Sequence, residues 1–361
     1  MRALQVCPND HAPFLELCKD HAAALEETGM VVDTVFLGAP RGTGWEAATY
    51  LNVERGTRRM IDALNRHCAG RGYRLVVAHR YRAYQVVTRA RVASESTTIV
   101  AIAHEFGMFA RARRRWRQRL FGRNVRFAGV SQAVVDEMRR HHPGLQHTLV
   151  LPNPVDVARL DDRRLRRDVA REQLAIPSPN YVIGMVGRLH PEKRPQLALT
   201  AFAAATLPAD AQFVFVGDGA LRGQLESLAV SLGVGSRVRF AGHVPDAARY
   251  MTAFDTLLVA SGPTEAFGMT LLEAMFAGVP IVSSDMPGPR SVLGDGIYFT
   301  GDEPRRLAAA LERCAALPDE ERERMRSAQR ARAEREFSTT AVAADYRRLL
   351  NMDAARPAVG F

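Results

Sequence analysis

The residue types with the clearest chemistry lie in the stretch 261–285, which reads SGPTEAFGMTLLEAMFAGVPIVSSD. Apolar residues at i,i+4 spacing predict a short helix over 270–276, and Gly278 followed by Pro280 is typical of a helix end. The helix is apolar on nearly every side, which predicts that it is buried. Glu273 nevertheless occupies its middle. Because a lone buried carboxylate is costly, we expect Glu273 to have a dedicated hydrogen-bonding partner.

A second carboxylate and a phosphate-type site come just before this helix. Glu265 lies eight residues before Glu273, and Phe267 and Gly268 stand at the predicted helix N-terminus. Backbone N–H groups and the helix dipole favour phosphate there, and glycine permits a close approach. The two carboxylates would repel a phosphate, so they are better explained as acceptors for hydroxyl groups. A ligand with central phosphates and polyols on both sides is a nucleotide sugar, and the segment predicts that class.

A pair of cations follows an earlier predicted strand. Gly187 and Arg188 come at the end of that strand, and Lys193 stands at the start of the next helix. Open parallel sheets bind ligands where a strand and a helix meet in this way, and two converging cations suit a diphosphate. The alternative, a solvated helix start, stays open on this motif alone.

A second strand-to-glycine turn, VGDG at 216–219, matches the dinucleotide-binding fingerprint only weakly. Arg222 stands where the third glycine is expected, and the next strand ends in Gly242 and His243 instead of an acid. A dehydrogenase is therefore disfavoured. We interpret the glycines of this turn as part of the floor of the same crevice.

The composition restricts the class of protein. The chain has 361 residues, 47% of them hydrophobic, which is long enough for two domains with separate cores. Its four cysteines show no metal-ligand spacing, which favours a reducing compartment and predicts no metal site. The sequence shows neither a signal peptide nor an apolar run of about 20 residues, which predicts a cytoplasmic protein. The formal net charge of +10 predicts an anionic partner.

Apolar strand-like runs alternate with helical patterns along the chain, which predicts doubly wound α/β domains with mainly parallel sheets. The predicted strands of the first half are Ala3–Cys7, Val31–Leu37, Leu75–Ala78, Thr98–Ala101 and Arg126–Val130. Those of the second half are Tyr181–Val186, Phe213–Val216, Arg237–Ala241, Thr256–Val259 and Pro280–Ser283. Two prolines flank Asn153 within 149–156, which predicts a linker between the domains. The segment 320–350 is predicted to be helical.

Four motifs occur in order along the second half: GRLxxxK at 187–193, VGDG at 216–219, VRFAGHV at 238–244 and EAFGMTLLEAMFAGVPIV at 265–282. Together they resemble the family 4 retaining glycosyltransferases of the GT-B fold, of the bacterial cell-envelope polysaccharide and glycolipid type. The resemblance is strong over 182–285 and fainter before it. It implies two Rossmann-like domains that face each other across a cleft. It also implies transfer with retention of configuration, without a divalent metal or any other cofactor.

By position, the resemblance implies that Arg188 and Lys193 hold the donor diphosphate and stabilise the departing nucleotide. It implies that Glu273 accepts hydrogen bonds from the ribose hydroxyls and that Glu265 contacts the transferred sugar. The base would lie against the motif 242–244, and the donor would be UDP- or GDP-linked. The remaining donor-site residues that it implies are Gly187, Gly217, Gly242, His243, Val244, Phe267, Gly268 and Met269.

The first half has two features that bear on the acceptor side. His104 follows a predicted strand and matches the position of a histidine that the family places near the reacting sugar, so the resemblance implies a catalytic role. Without that resemblance a structural role is favoured, and His79 is a weaker candidate of the same kind. The turn 7–13, CPNDHAP, lacks the glycine pair that many family members carry. Asn9 and Asp10 tolerate a positive φ, but their side chains would narrow the acceptor site.

A basic segment, RARRRWRQRLFGRNVR at 111–126, carries eight arginines and no acid. Ala112, Trp116 and Leu120 recur at i,i+4, which predicts a helix with a thin apolar stripe and a dense cationic face. This pattern suits an anionic membrane surface or a phosphorylated glycolipid, and we expect Arg111–Arg123 to make that contact. A solvated basic helix with Trp116 in the core stays open as the alternative. No nucleic-acid-binding motif accompanies the charge, so we expect no nucleic acid partner.

The sequence therefore predicts a two-domain, retaining, hexosyltransferase-like enzyme of the GT-B fold that moves a sugar from a nucleotide sugar to a saccharide or glycolipid acceptor. We expect residues 1–155 to bind the acceptor, 156–338 to bind the nucleotide sugar, and a helix over 339–352 to pack back on the first domain. The expected pathway is lipopolysaccharide or other cell-envelope glycan synthesis, at the inner face of the cytoplasmic membrane. The alternatives are a nucleotide-sugar epimerase of the same fold and a non-catalytic module that binds anionic glycans or nucleic acid.

Overall fold

Parallel β-sheets form the centre of both halves of the chain, as the alternating strand and helix pattern predicts. The computed structural model describes residues 1–42, 44–94, 96–121, 125–145, 148–177, 181–295 and 298–354. The chain folds as two units: the first combines Met1–Asp156 with the chain from Glu336 onward, and the second is Val157–Arg335. Arg123, the last residue of the predicted membrane contact, lies outside the described residues.

The first unit contains seven parallel strands in the order β3-β2-β1-β4-β5-β6-β7. The strands are β1 (Arg2–Cys7), β2 (Val31–Phe36), β3 (Ala48–Tyr50), β4 (Leu75–His79), β5 (Thr98–Ala103), β6 (Val125–Gly129) and β7 (Thr148–Val150). The helices are α1 (Phe14–Glu26), α2 (Thr57–Cys68), α3 (Arg80–Val87), α4 (Ala112–Phe121), α5 (Gln132–His141) and the C-terminal helix α14 (Thr339–Ala354). Strands β1, β4 and β5 are buried along nearly their whole length, which explains why they are apolar on both faces.

The second unit contains six parallel strands in the order β10-β9-β8-β11-β12-β13. The strands are β8 (Val182–Val186), β9 (Gln212–Val216), β10 (Val238–Gly242), β11 (Thr256–Val259), β12 (Ile281–Ser283) and β13 (Phe299–Thr300). The helices are α6 (Val157–Arg163), α7 (Arg167–Gln173), α8 (Pro195–Ala204), α9 (Arg222–Ser231), α10 (Met269–Ala277), α11 (Pro287–Leu293), α12 (Pro304–Ala315) and α13 (Asp319–Phe337). Phe213 packs against Phe202 and Phe215 in the core between the sheet and α8.

All ten predicted strands are present, with ends shifted by at most two residues. The three short strands β3, β7 and β13 were not predicted, and each lies at a sheet edge where only two or three residues pair. The prediction of a linker over 149–156 is wrong for its first residues, because Leu149 and Val150 pair with Ala128 and Gly129 of β6. The edge strands depend on pairing with a neighbour, and their own apolar pattern is too short to identify them.

The chain returns to the first unit through α14, which packs against α1. Tyr346 of this helix is fully buried, and its hydroxyl lies 2.9 Å from Nδ1 of His21 in α1. Just before the helix, Ser338 forms a parallel bridge with Val155. The C-terminal helix therefore contributes to the core of the first unit.

In each sheet the strand order reverses beside the first strand of the unit. In the first sheet β1 lies between β2 and β4, and in the second sheet β8 lies between β9 and β11. The loops at the carboxyl ends of the strands diverge at such a point and leave a crevice. Each crevice contains some of the predicted functional residues.

In the second unit the turn at Gly217 lies against the turn at Gly187, and a substitution at Gly217 tests this contact. Its φ is +138°, and a Cβ at this position would lie 1.9 Å from the carbonyl oxygen of Gly187. We therefore expect Gly217→Ala to lower the free energy of unfolding by about 3 kcal/mol in urea denaturation followed by far-UV circular dichroism. The matched control is Gly223→Ala in α9, where open space surrounds the Cβ position and the change should be neutral or stabilising. Equal unfolding midpoints for the two variants would contradict this packing.

Candidate active site

Three glycine turns meet at the carboxyl ends of β8, β9 and β10. Gly187 has a φ of +140°, and its N–H donates to the Val216 carbonyl over 2.9 Å. The N–H of Gly217 donates in turn to the Gly242 carbonyl over 2.7 Å. Any side chain at Gly217 would strike the Gly187 backbone. The turns therefore form the floor of the crevice. Arg188, predicted to bind the diphosphate, follows Gly187 directly, and His243, predicted to contact the base, follows Gly242.

Lys193 and Glu265 form an ion pair across the point where the order of the second sheet reverses. Lys193 ends the 3-10 turn 191–193 after β8, and Glu265 lies in the loop after β11. Ser261 Oγ also donates to Glu265 Oε2 over 3.0 Å. The N–H of Gly262 donates to the Glu192 carbonyl over 2.8 Å, which joins the two loops through their backbones. The structure thus brings together two residues that lie 72 positions apart in the sequence.

Arg194 holds these loops together and was not identified from the sequence. Its backbone is left-handed, with a φ of +47°, and its Nε donates to the Ala260 carbonyl over 2.7 Å. One Nη donates to the Ser261 carbonyl over 3.1 Å and to Asp302 over 2.8 Å. Five donors in a planar fork let one arginine make several such bonds. Its position beside Lys193 is the only signal that the sequence offers.

The N-terminus of α10 supplies backbone N–H groups beside Glu265. Gly268 precedes the helix with a φ of +102°, and Phe267 is buried. A Cβ on Gly288, at the start of α11, would lie 2.0 Å from the Glu265 carbonyl oxygen. Gly288 was not identified from the sequence either, because its role depends on a contact with a loop more than 20 residues earlier. These glycines let two helix starts approach the same loop.

Glu273 is half-buried in α10, so the prediction of a fully buried carboxylate is wrong in degree. Met269, Thr270 and Ala277 are also partly accessible, and together with Glu273 they form one stripe at i,i+4 spacing. The rest of the helix is buried. A stripe of this kind gives the carboxylate access to solvent and to a ligand.

The other predicted donor-site residues lie at the ends of β8 and β10. Arg188 and His243 are exposed, and Val244 is half-buried. Within the described part of the chain, the Arg188 guanidinium makes neither a hydrogen bond nor an ion pair. The carboxyl ends of neighbouring parallel strands lie at one edge of a sheet, so these residues and Lys193 share that edge.

His79 and His104 contact each other in the crevice of the first unit. His79 Nδ1 lies 2.9 Å from His104 Nε2, and His79 Nε2 lies 3.2 Å from Gln5 Oε1. His104 Nδ1 lies 3.1 Å from the side-chain amide of Asn153. Both ring nitrogens of His104 therefore face polar groups of the protein, His79 and Asn153. This favours a structural role for His104, in addition to the catalytic role that the family position implies.

Gln5 determines which nitrogen of His79 carries the proton. Its amide nitrogen donates to the Cys18 carbonyl over 2.9 Å and to Thr34 Oγ1 over 3.2 Å. The amide oxygen must then accept from His79 Nε2–H, which leaves a lone pair on His79 Nδ1. That lone pair faces His104 Nε2, and a neutral His104 has a single N–H for its two neighbouring acceptors, His79 Nδ1 and Asn153 Oδ1. Gln5 was not identified from the sequence, because it is a single polar residue in an otherwise apolar strand.

The two histidines and the neighbouring His21 are held in the neutral form. Burial lowers the pKa of His21 to about 3. Burial also lowers the pKa of His79 and of His104 well below the usual range, with further contributions from the neighbouring His21 and from the positive charge of Arg80. Because a charged imidazole would lose its hydration here, the network carries no net charge near pH 7.

The three histidines also form a possible ligand set for a metal ion, since one nitrogen from each lies within 4.8 Å of the others. The sequence did not reveal this grouping, because the residues come from α1, β4 and the end of β5. The set contains no carboxylate, and the positive charge of Arg80 that disfavours an imidazolium also disfavours a dication. Internal hydrogen bonds account for the arrangement, and the expectation of a metal-independent protein stays a prediction.

The turn after β1 does not have the positive φ considered for Asn9 and Asp10. Among the described residues other than glycine, positive φ values occur at Asn52, Arg80, Ala175, Arg194 and Asp246. Asp10 is buried, and its Oδ2 accepts from the Arg41 N–H over 2.9 Å and from the Tyr50 hydroxyl over 3.2 Å. An aspartate that accepts from neighbouring loops fixes the turn without a glycine.

A cavity of about 270 Å³ lies at the crevice of the first unit. Its walls come from the residues that follow β1, β4 and β5, which end beside the point where the strand order reverses. Asn9, Arg80, Tyr81, Arg82, His104 and Arg114 are among its lining residues. His104, the histidine predicted for the acceptor side, therefore lines a cavity.

Helix α4 has no fully buried side chain, and the exposure of Trp116 excludes the interpretation that places it in the core. Trp116 is 61% exposed, and Leu120 and Phe121 are 52% and 44% exposed. Arg114 and Arg115 have a structural task, because they donate to backbone carbonyls of the loop 107–110. Within the described residues, no helix has the length and apolar character needed to cross a membrane.

Comparison with known proteins agrees with this architecture. Residues 166–332 match the family model of the glycosyl transferases group 1. The chain is 34% identical over 183 residues to a D-inositol 3-phosphate glycosyltransferase from Geodermatophilus obscurus, an alignment that covers 46% of this chain and 40% of the relative. The chain thus spans well under two thirds of the length of that curated relative.

Two solved structures have the same fold along the whole chain. HepE from Anabaena in complex with UDP superposes with a TM-score of 0.77 at 20% identity, covering 98% of this chain and 100% of that one. The lipopolysaccharide outer core galactosyltransferase WaaB in its apo form gives a TM-score of 0.72 at 17% identity, with the same coverage. The chain has the GT-B fold, as predicted.

The neutral histidines predict a loss of stability in acid. Their pKa values in the folded protein lie below the value of about 6.5 that an unfolded chain has, so stability is complete above pH 6.5 and falls below it. Each group contributes up to about 1.4 kcal/mol per pH unit over that range. The two tryptophans, Trp45 and Trp116, both belong to the first unit, so their fluorescence reports its urea unfolding.

The control for this pH effect compares two histidine variants. His21→Gln should reduce the slope of unfolding free energy against pH between pH 6.5 and 4.5 by about one third, because one of three buried groups is removed. His11→Gln, at an exposed position, should leave the slope unchanged. An unchanged slope in His21→Gln would contradict a neutral, buried His21.

Proposed function

We propose that this chain, whose residues 166–332 match the family model of the glycosyl transferases group 1, transfers a sugar from a nucleotide-sugar donor to a saccharide or glycolipid acceptor with retention of configuration. The observation that carries the proposal is the Lys193–Glu265 ion pair at the reversal of the second sheet, beside the N-terminus of α10. A site with a cation, a carboxylate and helix N–H groups suits a sugar diphosphate. HepE, which shares the fold, is a UDP complex, and this supports a nucleotide donor.

The ion pair leaves binding capacity on both partners. A lysine ammonium has three N–H donors and a carboxylate has about four acceptor sites, so Lys193 retains donors for a phosphate and Glu265 retains acceptors for a sugar hydroxyl. Arg188, an exposed cation at the same sheet edge, would supply a second contact to the diphosphate. Glu273 would accept from the ribose through the accessible stripe of α10. Fixed donors of this kind stabilise the charge that develops on the leaving diphosphate.

In the proposed reaction the bond between the sugar C1 and the diphosphate oxygen breaks while the acceptor hydroxyl forms a bond to C1 from the same face. The hydroxyl proton passes to a departing phosphate oxygen. Lys193 and Arg188 supply the positive charge that this step needs, and we propose that no divalent metal takes part. His104 would contribute as a neutral group that shapes the acceptor side.

The acceptor class is proposed from the first unit and from the relatives. The relative from Geodermatophilus is named for D-inositol 3-phosphate, and WaaB is named for the lipopolysaccharide outer core. The exposed cationic helix α4, with Trp116 and Leu120 on its surface, suits the interface of an anionic membrane. We propose a role in cell-envelope glycan synthesis with peripheral membrane binding through α4.

Glu273→Ala should abolish the thermal stabilisation that UDP or GDP gives, because the ribose loses its carboxylate acceptor. A ligand at about 100 times its Kd adds about 2.7 kcal/mol to the free energy of unfolding, which a thermal-shift panel of UDP-, GDP- and ADP-sugars can resolve. Asp210→Ala, an exposed acid in the same unit, is the control and should keep the full shift. Unchanged stabilisation in Glu273→Ala would refute the ribose assignment. Interconversion of UDP-sugars without an acceptor would instead establish an epimerase.

The membrane contact is tested on the arginines of α4 that do not support the loop 107–110. Arg113→Ser with Arg119→Ser should weaken sedimentation with vesicles of anionic phospholipid by about thirtyfold, since each basic residue near the surface contributes about 1 kcal/mol. Trp116→Ser with Leu120→Ser should weaken it as well, because both apolar side chains are exposed on α4. Hydrolysis of the nucleotide sugar should stay unchanged in both variants. Arg58→Ser with Arg59→Ser on the exposed face of α2 is the control and should bind vesicles like the unmodified chain. Equal binding by all variants would refute the contact.

A further inference from the structure

Two buried hydrogen-bond donors without a partner lie directly after β4, in the crevice of the first unit. They are Nε of Arg80 and the hydroxyl of Tyr81, and neither atom has a hydrogen bond among the described residues. Both residues line the cavity that also contains Asn9 and His104. A buried donor without an acceptor is costly, so two at one site indicate that the cavity accommodates an acceptor from outside the chain.

Arg80 has a strained backbone. Its φ of +65° lies in the left-handed region, which glycine adopts freely and arginine resists. Its guanidinium carbon lies 4.0 Å from the centroid of the Phe14 ring. A glycine at this turn would avoid the strain, so the presence of arginine indicates that the side chain has a task in the cavity.

The charge around Arg80 is strongly positive. Arg82 and Arg114 also line the cavity, whereas Glu105 is the single acid among its lining residues. Within the described part of the chain, none of the three arginines forms an ion pair with a carboxylate. The neighbouring histidines are neutral and add no charge. The cavity therefore suits an oxyanion that carries about two negative charges.

We propose that this cavity binds a phosphate ester carried by the acceptor, with Arg80 as its main contact and Tyr81 and Arg114 beside it. The proposal rests on the proposed function, because it names a chemical class of acceptor. A phosphate monoester carries the charge that three arginines can balance, whereas a carboxylate carries one unit. The diphosphate of the donor has the same chemistry, so the experiment separates the two sources.

The experiment measures the binding of inorganic phosphate to the full chain by calorimetry at constant ionic strength. Arg80→Gln and Arg80→Gly should each raise the Kd for phosphate by about tenfold or more, the effect of losing one hydrogen bond to a charged group. Arg80→Gly should melt at or above the temperature of Arg80→Gln, because glycine relieves the left-handed strain. The control Arg58→Gln, on the exposed surface of α2, should bind phosphate like the unmodified chain.

A second arm identifies the source of the phosphate. Glucose 6-phosphate should compete with inorganic phosphate while glucose does not, and the affinity for UDP should be the same in Arg80→Gln as in the unmodified chain. The proposal is overturned if the unmodified chain does not bind phosphate, if the Arg80 variants bind it equally well, or if UDP affinity falls as much as phosphate affinity. If no nucleotide binds, the proposed function is refuted. The phosphate measurements on the Arg80 variants then still show whether the cavity is a phosphate site.

Discussion

The ion pair between Lys193 and Glu265 neutralises a carboxylate beside the N-terminus of α10, so that this helix start stays available to a phosphate. The pair joins the loops after β8 and β11, the strands between which the second sheet changes direction. Glu265 is only 15% exposed, and an unpaired carboxylate with so little contact with water would be costly and would repel a phosphate. Arg194 and the backbone bond from Gly262 fix the distance between the loops. The ion pair and these two contacts together hold the loops after β8 and β11 side by side.

The crevice of the first unit uses the opposite electrostatic arrangement. Its histidines are neutral and lie within hydrogen-bond distance of Gln5 and Asn153, so arginine side chains supply the positive charge. Burial allows this division, because a neutral imidazole is stable where an imidazolium is not. The two crevices lie at equivalent positions of two similar sheets but differ in charge. This difference is consistent with two separate ligands, one for each unit.

Much of the fold could be predicted from the sequence, because buried parallel strands are long apolar runs. The strands beside each crevice and the helix after Gly268 were predicted within one or two residues. The edge strands could not be predicted, because β7 and β13 exist through pairing alone. The family resemblance implied that Lys193 and Glu265 both belong to the donor site, but no pattern indicated Arg194, Gly288 or Gln5. Each of these three acts on a residue that is distant in the chain, and local spacing carries no record of such contacts.

The return of the chain through α14 also has a consequence for the order of synthesis. Tyr346 contacts His21, and Ser338 pairs with Val155, so the core of the first unit contains residues that a ribosome adds after the second unit. All the residues of the second unit are made before Tyr346 emerges. The second unit can therefore fold on the nascent chain while the first still lacks a helix. The synthesis of the first unit therefore begins before that of the second unit, but its fold is completed after it.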